Sequence, residues 1–435
     1  MDNLRAFFSF SDPNVVSVVL GTLLLTASSA VVGTFTFLRK KALLGDAIAH
    51  AVLPGVGAAF LWSGVKDPLM MIAGAFVSGW LAVWVMDQIV AHSKIKEDTA
   101  IALVLSVFFG VGILLLTYIQ HSGNAEQTGL ESFLFGKAAA LVGRDLWVFG
   151  AVALVLLVAV GLFFKEFQLI AFDEAYARTL GLPVGRLNLL LTSLTVLAVV
   201  TGIQAVGVVL MSAMLITPAA AARYWTDRVQ QMILLAAGFG ALSGLAGAYV
   251  SYVAPAMPTG PWIVVVISVV AILSFFFAPG RGIVYRYWQQ ESLRHDILEE
   301  NMLKAFYQMG EQEEDFFASR PAEELLAWRK FPPASLKDAL RRLVRKGDMV
   351  RKNDAWQLSP AGLERGRSIV KKHRLWELYL SRYLQLAPDH VHDDAETIEH
   401  ILTPELEAEL LRMMDYPDLD PHDAVIPYGE KDKKE

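Results

Sequence analysis

Through residue 290 the chain is an almost unbroken series of apolar runs, and no other feature limits its fold so strongly. A helical bilayer crossing needs about 17 to 25 predominantly apolar residues. Seven runs fit: 15–38, 42–62, 68–91, 99–119, 146–164, 229–253 and 262–278. The stretch 187–222 is too long for one crossing and suffices for two short ones, with a break at Gly202-Ile-Gln-Ala-Val-Gly207. Hydrocarbon offers the backbone no hydrogen bonds, so each crossing must satisfy its own. The expectation is an all-α polytopic membrane domain of about nine transmembrane helices. An odd number puts the two ends on opposite sides. With the N-terminus outside, cytoplasmic segments hold twelve basic residues, Arg39, Lys40, Lys41, Lys94 and Lys96 among them; external ones hold only Arg5, Lys66, Lys137 and Arg144. The positive-inside rule then places the C-terminal end in the cytoplasm. The first run lacks the basic start and small-residue cleavage site of a signal peptide and reads as a retained span.

Whole-chain composition averages two unlike parts. Through Gln290 there are 16 Lys+Arg against 14 Asp+Glu; from Glu291 onward there are 22 against 30, in a typical soluble composition. The net charge of −6 and the 54% hydrophobic content describe neither part. The expected domains are 1–285 in the membrane, a winged helix at 293–360, a helical domain at 361–428 and a charged tail at 429–435. Absence of cysteine excludes disulfides and thiolate metal sites.

Within the second run lies Lys40-Lys-Ala-Leu-Leu-Gly-Asp-Ala-Ile-Ala-His-Ala-Val-Leu-Pro-Gly-Val-Gly57. Asp46 and His50, four residues apart, project from one helix face. Ionisable groups at membrane depth are costly and usually mark an ion or proton pathway. Carboxylate plus imidazole also suits a divalent first-row metal. The plainer alternative is that Asp46 pairs with a basic neighbour at the membrane edge. Pro54, Gly55 and Gly57 follow, where they can break or bend the helix.

Two connections exceed simple turns. The external one, 120–145, contains Leu130-Glu-Ser-Phe-Leu-Phe-Gly136, a candidate re-entrant or interfacial helix. In the internal one, 165–186, Asp173 and Glu174 suit the first turn of a short amphipathic helix, and Gly181 before Pro183 suits its end. Such a helix either presses against a motor subunit or lies on the headgroups.

Three blocks in order carry a resemblance over about 14–280: Gly45-Asp-Ala-Ile-Ala-His-Ala-Val-Leu-Pro-Gly55, the loop 173–184, and Val206-Gly-Val-Val-Leu-Met-Ser-Ala-Met-Leu-Ile-Thr-Pro-Ala-Ala-Ala-Ala222. Together they resemble the permease subunits of manganese, zinc and iron ABC importers. The resemblance implies a bacterial inner (plasma) membrane and a paired permease, as a homo- or heterodimer. It also implies an extracytoplasmic metal-binding protein and cytosolic ATPase subunits. The chain has no GxxxxGK[ST] phosphate loop, so hydrolysis is expected from separate subunits and the chain itself is not expected to be an enzyme. By the resemblance, Asp173, Glu174, Arg178 and Gly181 belong to the helix that docks on the ATPase, and Asp46 and His50 line the metal path.

Beyond residue 293 the pattern is soluble and mainly α. A first helix is expected at 298–309. Helices at 322–328 and 334–346 flank a Phe331-Pro-Pro break, and strands within 349–358 surround Asn353-Asp354. This is the order of a winged helix-turn-helix. Nine basic residues fall in 329–352 against Asp338 and Asp348, the footprint expected for phosphate contact. Lys337, Arg341, Arg342, Arg345 and Lys346 are the candidate DNA-binding set; a solvated face near anionic lipid is the alternative.

Farther on, His373 and Glu377 share a helix face, as do Glu396, Glu399 and His400, with His392 close before them. An oxygen and nitrogen donor set without thiolate suits manganese or ferrous iron and also admits zinc. The segments 371–377, 391–400 and 420–427 resemble the diphtheria-toxin-repressor family of metal-dependent regulators. There the resemblance implies a metal-binding, dimerising block behind a DNA-binding winged domain. Glu396 stands where manganese-sensing members carry Glu and iron-sensing members Cys, which favours manganese. Where the family draws ligands from its first helix this chain has Asn301 and Lys304, and lysine is a poor ligand; Glu300 is the nearby substitute. The expectation is therefore a metal importer permease whose tail senses cytosolic metal. Its rivals are a membrane-anchored metal-dependent transcriptional regulator and a secondary carrier.

Overall fold

The computed structural model describes residues 2–65, 67–121, 136, 141, 143–254, 257–328, 331, 333–384 and 402–429. They form two compact units, Met1–Arg286 and Tyr287–Glu435.

Among the described residues the regular elements of the first unit are all helices. After α1 (Asp2–Phe8) come α2 (Pro13–Leu38), α3 (Leu44–Ala51), α4 (Leu53–Ser63), α5 (Pro68–His92) and α6 (Glu97–His121). The order continues with α7 (Gly143–Leu162), α8 (Phe164–Phe172), α9 (Glu174–Thr179), α10 (Val184–Val206), α11 (Val208–Arg223), α12 (Val229–Val253) and α13 (Thr259–Phe277). Counting Leu44–Ser63 as one segment, eight helices among the described residues are long and apolar enough to cross a membrane, by length and composition. The ninth expected run is α11, whose 16 residues extend only about 24 Å at 1.5 Å per residue. The break expected within 202–207 falls at its last residue: Gly207 sits at φ 93° and ψ 166°, a region essentially reserved for glycine. The expected re-entrant helix at 130–136 lies outside the described residues, apart from Gly136.

Helix α2 starts where Asp12 accepts a hydrogen bond from the Asn14 N–H at 2.8 Å. It ends where Lys40 turns left-handed (φ 60°) and the Lys41 N–H reaches back to the Thr36 carbonyl at 3.1 Å. It packs along α12, α11, α7 and α10. Helix α3 lies among α5, α6, α10 and α11, and its Ala47, Ile48 and Ala49 are fully buried with Val199, Val200, Met211 and Leu215. Small residues bring the helices close. A Cβ on Gly55 would fall inside the radius of the Gly74 carbonyl oxygen, so α4 and α5 cross backbone to backbone.

The second unit begins within α14 (Ile283–Glu313), followed by β1 (Arg320–Pro321), α15 (Ala322–Trp328), α16 (Pro333–Lys346), β2 (Met349–Lys352), β3 (Ala355–Leu358), α17 (Pro360–Tyr383) and α18 (Pro404–Met413). The first tail helix is thus longer than the expected 298–309, because no glycine or proline interrupts 283–309. The sheet has order β1-β3-β2 and is antiparallel, with Arg320 opposite Trp356 and Met349 opposite Leu358. The β2–β3 turn places Asn353 at φ 55°, a conformation asparagine tolerates. Short β1, unanticipated from sequence, holds Pro321 at the edge, where a missing N–H costs no ladder bond. Met302, Leu303, Phe306, Leu325, Leu340 and Leu358 fill the core beneath the sheet. A smaller cluster joins Leu375 of α17 to Leu410, Leu411, Met414 and Ile426.

Candidate functional site

In α3 the acid and imidazole meet as their spacing requires: His50 Nε2 lies 3.7 Å from Asp46 Oδ1. Both remain partly open, at 22% and 41% side-chain exposure. The His50 ring stands edge-on to Phe109 of α6, 5.2 Å between centroids. Its Nδ1 is buried without a hydrogen-bond partner among the described residues, an expensive condition for a polar atom. One face of α3 therefore offers a carboxylate and an underused imidazole, a donor set suited to a passing divalent cation.

The helix break occurs at Val52, two residues ahead of Pro54, and separates α3 from α4. Near it, the Ser78 hydroxyl of α5 donates to the Ala51 carbonyl at 2.6 Å. Ser78 and Phe109 were not singled out from sequence. Gly74 and Ser78, four apart, carry the small-residue spacing of close helix contacts, whereas nothing local distinguishes Phe109 from its apolar neighbours.

The 165–186 connection forms α8 and α9. Asp173 caps α9 by accepting from the Tyr176 N–H at 2.9 Å. Gly181 takes φ 79° and turns the chain toward α10. Glu174 is held by three groups: Arg39 at 3.2 Å, Asn188 Nδ2 at 3.1 Å and Arg178 at 3.8 Å.

In α17 His373 and Glu377 form a buried pair, Nε2 to Oε1 3.0 Å, each side chain about 3% exposed. The four other expected tail ligands, His392, Glu396, Glu399 and His400, lie outside the described residues. No cluster of three His, Asp or Glu occurs among the described residues. On α14, Lys304 is 1% exposed, Asn301 buries an Oδ1 that finds no hydrogen-bond partner among the described residues, and Glu300 stands 4.0 Å from Arg365.

The basic residues of α16 divide by direction. Lys337, Arg341 and Arg345 are exposed. Arg342, half-buried, and Lys346, still exposed, both reach the buried Glu299, at 2.7 and 2.6 Å, and Lys346 also lies 3.5 Å from Asp296. Burial pushes the Glu299 carboxyl upward, but its hydrogen bonds to Lys346 and Arg342 outweigh that and hold it below the usual range. The same bonds raise Lys346. Periodicity alone could not assign these two cations, because their acidic partner is 43 or more residues away.

The model of the ABC 3 transport family matches residues 11–278. The model of the iron-dependent repressor metal-binding and dimerisation domain matches 359–428. A manganese transport system membrane protein of Bacillus subtilis is 44% identical over 376 residues, 86% of each chain. A zinc transport system membrane protein of Treponema pallidum is 43% identical over 291 residues, covering 67% of this chain and 97% of the relative. Among solved structures, PsaBC from Streptococcus pneumoniae in complex with Fab matches with TM-score 0.58 at 33% identity, covering 66% of this chain and 99% of its counterpart.

Proposed function

Since the chain belongs to the ABC 3 transport family, we propose that it is the permease subunit of an ATP-driven divalent metal importer with a metal-responsive regulatory tail. Manganese is the preferred cargo and zinc or iron the alternatives; relatives are named for manganese and for zinc transport. The observation that carries the reading is the Asp46–His50 pair, kept part-open on one face of a helix otherwise sunk among apolar neighbours. A cation passing this face exchanges water for carboxylate and imidazole. The buried surroundings strengthen that attraction and limit how many ions can wait there.

Energy comes from separate ATPase subunits that dock on α9, and metal is delivered by an extracytoplasmic binding protein to a pair of permease chains. The N-terminus lies outside and the tail inside. There His373, Glu377, His392, Glu396, Glu399 and His400 answer cytosolic metal, and occupancy slows transport. Tethering to the membrane restricts any search of the chromosome, which favours feedback on transport over gene control. The exposed trio Lys337, Arg341 and Arg345 supports the second reading, a membrane-anchored DNA-binding regulator.

Reconstitution of the chain with ATPase subunits and binding protein tests the proposal. ATP-dependent accumulation of manganese in vesicles is the expected result. Accumulation that persists without ATPase would indicate a secondary carrier. Uptake restored to deficient cells by the isolated tail alone would refute the transporter reading.

A further inference from the structure

The turn between α2 and α3 is gripped by charge on two sides. Arg39, only 12% exposed along its side chain, bonds to Glu174 of α9, and Lys41 bonds to Glu97 of α6 at 2.9 Å. Five residues after Lys41 comes Asp46. Arg39 and Glu174 lie on the wall of a cavity of about 410 Å³, whose lining also includes Asp87 and Trp84 of α5 and Asn188 of α10. Among the described residues Asp87 makes no ion pair. Arg39 therefore has two carboxylates within one cavity, one on α9 and one on the membrane helix α5, and it engages the first. Lys41 shares that wall and lies in the field of Asp87 as well; a guanidinium engaged with one acid and in the field of a second is a two-position element, the kind of device that converts a small displacement into a discrete change.

We propose that Arg39 is the positioning residue linking α9 to the metal-lining helix: when α9 is displaced, Arg39 exchanges Glu174 for Asp87 and shifts the start of α3, with Asp46 on it. The partial burial of Arg39 suits this role, because a pair shielded from solvent is screened less and commits to one geometry. Glu174 is steadied by Asn188 and Arg178, so Arg39 is the member that changes partner. The inference rests on the importer reading for the motor that moves α9. Its geometry stands within the first unit alone.

The chain has no cysteine, so single spin labels can be placed at Leu43→Cys, ahead of α3, and at Leu180→Cys, after α9; both positions are exposed. The full chain is assembled with its ATPase subunits in vesicles, and label mobility is compared with and without a non-hydrolysable ATP analogue. Nucleotide should shift both labels in the parent protein. Arg39→Gln and Asp87→Asn should each abolish the shift at 43 while retaining it at 180, and Arg39→Lys, which keeps the charge, should restore it. An undiminished shift at 43 in either Arg39→Gln or Asp87→Asn overturns the proposal, as does a parent protein with no shift at 43. Manganese accumulation in the same vesicles reads the importer proposal separately. Label shifts without ATP-dependent uptake would refute that proposal and leave the Arg39 link standing.

Discussion

Two acid–imidazole pairs share one spacing and differ in nearly everything else. On α3, Asp46 and His50 sit 3.7 Å apart with both side chains part-open. On α17, His373 and Glu377 sit 3.0 Å apart with both closed off from solvent. Geometry along the helix is the same, so environment sets the roles. An open, loosely engaged pair can exchange its partner for a cation and release it again. A closed, tightly bonded pair contributes to the fold and yields to a ligand only if that ligand replaces both halves of the bond.

The largest separation should come from replacing each pair. Asp46→Ala with His50→Ala is expected to cut ATP-dependent metal accumulation by about tenfold or more while leaving helix content by circular dichroism unchanged. Undiminished accumulation would show that the open pair plays no part in metal passage. Glu377→Ala leaves an imidazole buried and should destabilise the second unit by about 3 kcal/mol, read as lost hydrogen-exchange protection along α17 in metal-free buffer. Unchanged protection would show that the closed pair adds nothing to the stability of the metal-free unit.

A milder test uses pH. The Glu299 carboxyl is held below its reference of 4.5, so its contribution is complete above that value and disappears as pH falls through the lowered one. Glu299→Gln should remove this acid-dependent part from the melting of the second unit; an unaltered acid limb would show that the α14–α16 contact does not depend on the charge. The smallest effect concerns the exposed cations of α16. If the tail contacts DNA, replacing Lys337, Arg341 or Arg345 by Ala should each reduce the salt slope of binding by about 0.9. Arg342→Ala should instead act through stability.

Much of this was legible in the sequence. The apolar runs, the Asp46–His50 phase and the strand–turn–strand around Asn353 all rest on local patterns, and local geometry delivered them. Asp173 read from sequence as a first-turn acid, and the structure makes it the cap itself, a contact settled within three residues. What could not be read was long-range. Nothing near Glu174 announces Arg39, which lies 135 residues away, and nothing near Arg342 announces Glu299. The short β1 escaped because a two-residue strand has no period; it exists only through its pairing with β3. Helix α14 was underestimated at its start because its first turns bury little and carry no hydrophobic rhythm.

The glycine crossing between α4 and α5 constrains how the segment after α3 can move. With no side chain between Gly55 and Gly74, the two backbones rest on each other, and sliding either along the other would drive a neighbouring side chain into the crossing. Translation is blocked there and rotation is not. Any movement of α4 against α5 is therefore confined to turning about that contact.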